Sequence, residues 1–261
     1  VVEFCRSKGI RLHGHTLVWG NNRWQIPDWL IGRMPLHFLK KANLEQNPSD
    51  GTLECQATAY PFEEMSADEM AEAMPEYTTL LNVLTAKRIM EIAVRYGDKI
   101  DSWDVANESA ADFGKGRMVP GSKLCTSWYG PMPGDYTYRA FKIAESVFPE
   151  KAKLNINDYN LSEDYLQQVC DLRRRGCKID IMGAQMHLFD PQICLNIASG
   201  KDRRQSPETV RRTMELIGKA GLPIHLSEIT ITSPGGDRRG EIIQAGISRN
   251  LYRLWFSLAP M

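Results

Sequence analysis

The chain has 261 residues, 43% hydrophobic and 25% charged, an ordinary globular balance. Lys+Arg and Asp+Glu both number 32, so the formal net charge is zero and nothing points to a nucleic-acid or polyanion partner. No apolar run is long enough to span a membrane, and the length suits one large α/β barrel or two small domains.

Val1 to Gly9 reads as the end of an amphipathic helix with Gly9 just past its C-terminus, and not as a signal peptide. With no initiator Met, the expectation is a fragment or a processed piece. Ile10 to Trp19 reads as a strand entering a loop at Gly20-Asn21-Asn22. Pro27-Asp28-Trp29-Leu30 begins a short helical turn. Residues 43–75 are irregular and rich in Pro, Glu, Met and Gly, the pattern of a long inserted loop. From Thr78 to Tyr96 the spacing is helical, with Leu81, Leu84, Ile89, Ile92, Ala93 and Tyr96 on one face, and Gly97 stops it.

A buried strand from Ile100 to Ala106 follows and ends in Asn107-Glu108. Residues 109–134 form a second long loop, with Trp128-Tyr129-Gly130-Pro131 in it. Asp135 to Phe148 is helical, with Pro149 just after. Lys153 to Ile156 is a strand ending in Asn157-Asp158-Tyr159-Asn160. Asp164 to Arg175 is a helix terminated by Gly176, and its Arg173-Arg174-Arg175 run reads as a solvated helix end. Ile179 to Ala184 is a strand ending in Gln185-Met186-His187. Ser206-Pro207-Glu208 opens a helix with Pro at its first position, and Gly221 ends it. Pro223 to Glu228 is a strand, with His225 packing on it, and a last helix runs from about Glu241 to Phe256.

Strand and helix alternate at least five times, which predicts a parallel sheet with helices outside. No glycine-rich phosphate loop follows a strand, which disfavours a doubly wound nucleotide fold. A (β/α)8 TIM barrel fits better, with about five of its eight strands visible. The chain is therefore read as one catalytic domain over residues 1–261, a partial barrel with a long loop insertion around residues 33–75. It is expected to start near the second helix of such a barrel and to stop before the eighth strand. The six cysteines (Cys5, Cys55, Cys125, Cys170, Cys177, Cys194) include no Cys-x-x-Cys pair, so buried thiols with one disulfide at most are expected, and no zinc.

Catalytic groups of parallel α/β proteins gather at the carboxyl ends of the strands. Here those ends carry His13, His15 and Trp19; Asn107 and Glu108; Asn157, Asp158 and Tyr159; Gln185 and His187; and Glu228. Two glutamates across a barrel mouth suit glycosidic bond cleavage. One is protonated and gives its proton to the leaving oxygen; the other is ionised and attacks the anomeric carbon. Their neighbours must push the two pKa values apart. Asn107, Gln185 and His187 supply partners for sugar hydroxyls, and Trp19 and Trp128 could stack on sugar rings. Neither a nucleophilic Ser or Cys pattern nor a phosphate nest is evident, and no cofactor or metal is expected.

At these residues the sequence resembles glycoside hydrolase family 10, the β-1,4-xylanases. The matching runs are Gly14-His15-Thr16-Leu17-Val18-Trp19, Trp103-Asp104-Val105-Ala106-Asn107-Glu108, Asn157-Asp158-Tyr159-Asn160, Gly183-Ala184-Gln185-Met186-His187-Leu188 and Ser227-Glu228, in the family's order. The segments Tyr136 to Phe148 and Leu154-Asn155-Ile156 also resemble it. The resemblance implies a (β/α)8 barrel, a retaining endo-1,4-β-xylanase, and xylan or xylo-oligosaccharides as the partner. It implies Glu108 as acid/base and Glu228 as nucleophile. Asn107 would hold the 2-hydroxyl of the sugar being cleaved. His15, Trp19, Gln185 and His187 would line the same subsite, with Tyr159 close by. A polymeric substrate implies an extracellular, periplasmic or cell-surface location, and a monomer is expected.

The sequence departs from the family at several points. Gly20 stands where the family has His. Ser227-Glu228-Ile229-Thr230 stands for Thr-Glu-Leu-Asp, so His187 would have a neutral hydroxyl in place of a carboxylate beside it. Residues 33–75 exceed the family's usual loop. The family's Glu-Asn-x-Met-Lys-Trp segment, the first two strands and the Trp-bearing eighth strand are not found. Two alternatives follow: a catalytically weakened xylan-binding relative of the same fold, or, more remotely, a metal-dependent amidohydrolase-type barrel suggested by His13-x-His15.

Overall fold

Five parallel strands laid side by side in chain order form the frame of the molecule. They are β1 (His13–Gly14), β2 (Ser102–Asn107), β3 (Lys153–Asp158), β4 (Ile181–Leu188) and β5 (Ile224–Ile231). The computed structural model describes residues 1–20, 28–31, 33, 44–46, 53–55, 71–110, 113–114, 117–118 and 135–259. Helices precede, connect and follow the strands: α1 (Val2–Ser7), α2 (Pro75–Tyr96), α3 (Tyr136–Val147), α4 (Glu163–Arg174), α5 (Pro191–Ala198), α6 (Pro207–Gly218) and α7 (Arg238–Leu258). A short helix, Asp28–Ile31, falls at the expected turn.

The sheet is curled. Five flat strands would place the first and fifth ~19 Å apart. Yet the rings of His13 on β1 and His225 on β5 meet edge to face with centroids 5.4 Å apart. The concave face is polar and the convex face apolar. Trp103, Val105, Leu154, Ile156, Met182 and Ala184 are buried in the core that includes the helices' apolar residues. This is the expected partial α/β barrel, with five strands in the main sheet among the described residues.

Two register shifts set the concave face. Between β2 and β3 the pairing steps from Asp104↔Asn155 to Ala106↔Ile156, so Val105 is an extra residue. Asn107 then lies opposite Asn157. Between β4 and β5 it steps from Ala184↔Leu226 to Gln185↔Glu228, leaving Ser227 extra. Such bulges re-aim side chains. Without them strict alternation would pair Asn107 with Asp158 and Gln185 with Ser227.

Two glycines permit close approaches. A Cβ on Gly14 would stand 2.2 Å from the Trp103 ring, and one on Gly183 would stand 2.2 Å from Asn157 Oδ1. At the back of the sheet the Tyr165 hydroxyl of α4 lies 3.0 Å from the Ile156 carbonyl and 2.9 Å from that of Gly183. It ties the helix to both strands.

Several boundaries differ from the sequence expectation. The Ile10–Trp19 stretch is a strand only at His13–Gly14, with a single further bridge from Val18 to Ala106. The 43–75 stretch contains an antiparallel ribbon, Leu44–Gln46 with Leu53–Cys55, and the 109–134 loop another, Phe113–Gly114 with Arg117–Met118. Helix α5 was not expected; its start is written in Asp190-Pro191, where the Asp190 carboxylate accepts from the Gln192 N–H at 2.8 Å. The arginine run is more than a solvated end. Arg173 donates to the Ala220 carbonyl at 2.6 Å, and Arg175 pairs with Asp135 at 2.5 Å and lies 3.9 Å over the Tyr138 ring. Cys5, Cys170, Cys177 and Cys194 are free thiols; the side chains of Cys55 and Cys125 lie outside the described residues.

Candidate active site

Glu108 stands at the end of β2 in a left-handed backbone conformation, φ 53°. A non-glycine residue rarely adopts it, and it persists where the surroundings over-determine it. They do so here. The Glu108 N–H donates to the Asn157 carbonyl at 2.8 Å. Two residues on, the Ala110 N–H donates to Asp158 Oδ2 at 2.9 Å. Between them, Gln168 of α4 donates to the Ser109 hydroxyl at 2.9 Å. Asp158 also accepts from the Asn160 N–H at 2.7 Å, so one buried carboxyl fastens the loops after β2 and β3 together.

A chain of amides and an imidazole joins Glu108 to Glu228. Gln185 Nε2 donates to Glu108 Oε1 at 3.2 Å and to Asn107 Oδ1 at 3.1 Å. Asn157 Nδ2 donates to the same Asn107 oxygen at 2.9 Å and to Glu228 Oε1 at 2.7 Å. The Ser227 hydroxyl, aimed inward by its bulge, donates to Asn157 Oδ1 at 2.5 Å. His187 Nε2 lies 3.2 Å from Gln185 Oε1 and 3.4 Å from Glu228 Oε2. Facing two acceptor oxygens, Nε2 carries a hydrogen. Nδ1 is 2.9 Å from the Thr230 hydroxyl, which can donate or accept as the imidazole requires. Thr230 thus takes the place beside His187 that the sequence assigned it.

Burial pushes the Glu108 carboxyl above the usual glutamate range. The Glu228 charge adds to the rise, while hydrogen bonds from Gln185 and Asn107 oppose it. Asp158 is pushed up to about 7 by burial, which outweighs the backbone N–H donors of Ala110, Asn160 and Tyr159, and the nearby Glu108 charge adds to it.

A second buried carboxylate lies deeper in the concave face. Asp104 Oδ2 is 2.9 Å from both His13 Nε2 and His15 Nδ1. Burial opposes its charge, but the two imidazoles outweigh burial and hold the carboxyl below its ordinary value. The bond to Asp104 raises His15, against burial, with smaller contributions from Asp104, Glu228 and Glu108 charges. Both histidines of the His13-x-His15 pattern are therefore engaged with a carboxylate. No three His, Cys, Asp or Glu groups among the described residues are placed to hold a metal ion.

Above the network opens a cavity of about 950 Å³, bordered by Trp19, Glu108, Tyr159, Gln185, His187 and Glu228. Asn107 lies buried below them and His15 beside Asp104. The structure thus brings together Glu108, Glu228 and the six residues that the resemblance assigns to sugar binding; Trp128 lies outside the described residues. Sequence reasoning placed Asn157 and Asp158 at a strand end without giving them a role, and it missed Ser227 and Arg88, which donates to the Leu17 and Thr16 carbonyls at 2.8 and 3.1 Å and so fixes the loop that carries Trp19. Asn157 had a readable signal, a strand-end amide. Ser227 had none, because its direction depends on the bulge.

Comparison with known proteins bears on the family and the fold. The family model described as Glycosyl hydrolase family 10 matches residues 1–251. The chain is 31% identical to endo-1,4-beta-xylanase A of Halalkalibacterium halodurans over 276 residues, covering 99% of this chain and 58% of that protein. It is 29% identical to endo-1,4-beta-xylanase A of Thermotoga neapolitana over 236 residues, 88% of this chain and 17% of that one. The chain thus spans less than two thirds of these curated relatives. Among solved structures, native xylanase 10B of Thermotoga maritima superposes with TM-score 0.60 at 24% identity, over 97% of this chain and 61% of that one. That likeness shows the fold. With the family model covering nearly its whole length, this chain belongs to glycosyl hydrolase family 10.

Proposed function

We propose that the protein is a retaining endo-1,4-β-xylanase acting on internal bonds of xylan or xylo-oligosaccharides. The observation that carries this reading is the pair of glutamates joined through one set of side chains, with Glu108 raised by burial and by the Glu228 charge. A carboxyl so raised keeps its proton at higher pH than an ordinary glutamate and can act as general acid. Glu228, oriented by Asn157 and His187, attacks the anomeric carbon. As that bond forms, the glycosidic C–O bond breaks, and the Glu108 proton passes to the leaving oxygen. Water then attacks the glycosyl-enzyme ester and gives its proton to Glu108, which releases Glu228. This double displacement requires the carboxyl groups about 5–5.5 Å apart.

Asn107, held by Gln185 and Asn157, is placed for the 2-hydroxyl of the sugar under attack. Trp19 and Tyr159 border the same cavity and offer rings for the chain. Xylanase-named relatives support the substrate class. A polymeric substrate places the reaction outside the cytoplasm, and the protein acts as a monomer. The test is hydrolysis of xylan by the wild type and by Glu108→Ala and Glu228→Ala, with products resolved by chromatography. Loss of most turnover in both variants is expected. Undiminished cleavage by both overturns the assignment, and xylo-oligosaccharide binding without any product favours the weakened binding relative.

A further inference from the structure

We propose that Phe189 is a stacking platform for a sugar ring next to the one being cleaved, which makes it a specificity-determining residue for chain length; this rests on the xylanase reading. Phe189 is 67% exposed, and it borders the cavity that holds Glu108 and Glu228. One face of its ring is stacked on His187, with centroids 4.7 Å apart and planes 15° from parallel.

Its backbone is held firmly. The Thr232 hydroxyl donates to the Phe189 carbonyl at 2.9 Å, and the Thr232 N–H donates to the Leu188 carbonyl at 3.1 Å. The next residue, Asp190, caps α5, and Pro191 follows at the first helical position. A single exposed apolar side chain is by itself unremarkable. This one is a rigid ring, anchored on both sides, inside a cavity lined by two carboxylates. A β-linked pentopyranose presents axial C–H groups on its faces, which suit the electron-rich face of an aromatic ring. His187 lies 3.4 Å from Glu228 through its Nε2 edge and carries Phe189 on its face, so a sugar on the free face of Phe189 is offset from the reacting carboxylate by both rings, the place of a neighbouring unit.

The test compares wild type, Phe189→Ala and Phe189→Trp on xylo-oligosaccharides from two to six units, with Kd for xylohexaose measured by calorimetry in parallel. Phe189→Ala is expected to raise KM and Kd for the longest oligomers about tenfold, leave kcat near its wild-type value and change the shortest cleaved substrate little. Phe189→Trp is expected to restore the long-substrate values. Equal losses at every length mean that the ring only props His187, and overturn the platform, as do unchanged values throughout or failure of Trp to rescue. A wild type that binds xylohexaose without cleaving it refutes the xylanase reading while Kd still decides the platform. A wild type that neither binds nor cleaves refutes both.

Discussion

The inner strands β2 and β3 and the outer strand β5 differ in burial. In β2 and β3 every residue after the first is buried, whereas no residue of β5 is fully buried. β5 has one strand neighbour among the described residues, and β2 and β3 have two each. The two glutamates divide along this line. Glu108 grows out of the buried centre, clamped by Asn157, Asp158 and Ser109. The Glu228 side chain, 32% exposed, stands on the open flank and is oriented from the neighbouring strands by Asn157 and His187. Burial in the packed centre holds the Glu108 carboxyl above the ordinary glutamate range.

The contrast can be broken most forcefully in the core. Ile156→Ala on β3 removes a side chain with 0% exposure and is expected to cost about 2–5 kcal/mol. Ile229→Ala on β5, only partly buried, is expected to cost roughly half as much. Urea midpoints check this, and equal losses would contradict a stiff centre and a looser flank. Gly183→Ala follows: its methyl meets the Asn157 side chain that orients Glu228, so a loss of about 1–3 kcal/mol accompanied by lower kcat is expected. Normal activity would show that Asn157 can move without consequence.

Asp158→Asn leaves either the Ala110 or the Asn160 N–H without its acceptor, at about 1–3 kcal/mol. The pH dependence has a definite sign. The Asp158 pKa rises from 3.8 in the unfolded chain to about 7 when folded. The folded state therefore binds more protons between these values, and the stability this group contributes is fully present below pH 3.8 and lost as pH rises through about 7. Thermal melts across this range should slope less in the variant, and identical slopes would remove Asp158 from the account. The smallest effect belongs to Thr230→Val, which deletes one hydrogen bond to His187. A loss of about 1 kcal/mol in transition-state stabilisation is expected from kcat/KM, and an effect as large as that of losing Glu228 would be inconsistent.

The sequence shows the order of strands and the residues at their ends because both are local: apolar runs, helix caps and polar residues that interrupt them. Glu108, Gln185 and His187 were legible on that basis, and Thr230 as the neighbour of His187. The bulges at Val105 and Ser227 were not, since they arise from pairing between distant segments. Alternation alone misplaces Asn107 and Glu228 for that reason. Helix α5 was passed over although Asp190-Pro191 announces it. The Asp158 clamp was hidden because its partners are backbone N–H groups, which carry no sequence signature.

The division of labour between the two glutamates is tested most directly by trapping the intermediate. A 2-deoxy-2-fluoro-xylobioside with a good leaving group should glycosylate the nucleophile, releasing the leaving group, and the adduct should hydrolyse slowly. Digestion and mass spectrometry should find one disaccharide on the peptide containing Glu228 and none on that containing Glu108. A label on Glu108, or turnover that inverts the anomeric centre with no covalent adduct, would contradict the account.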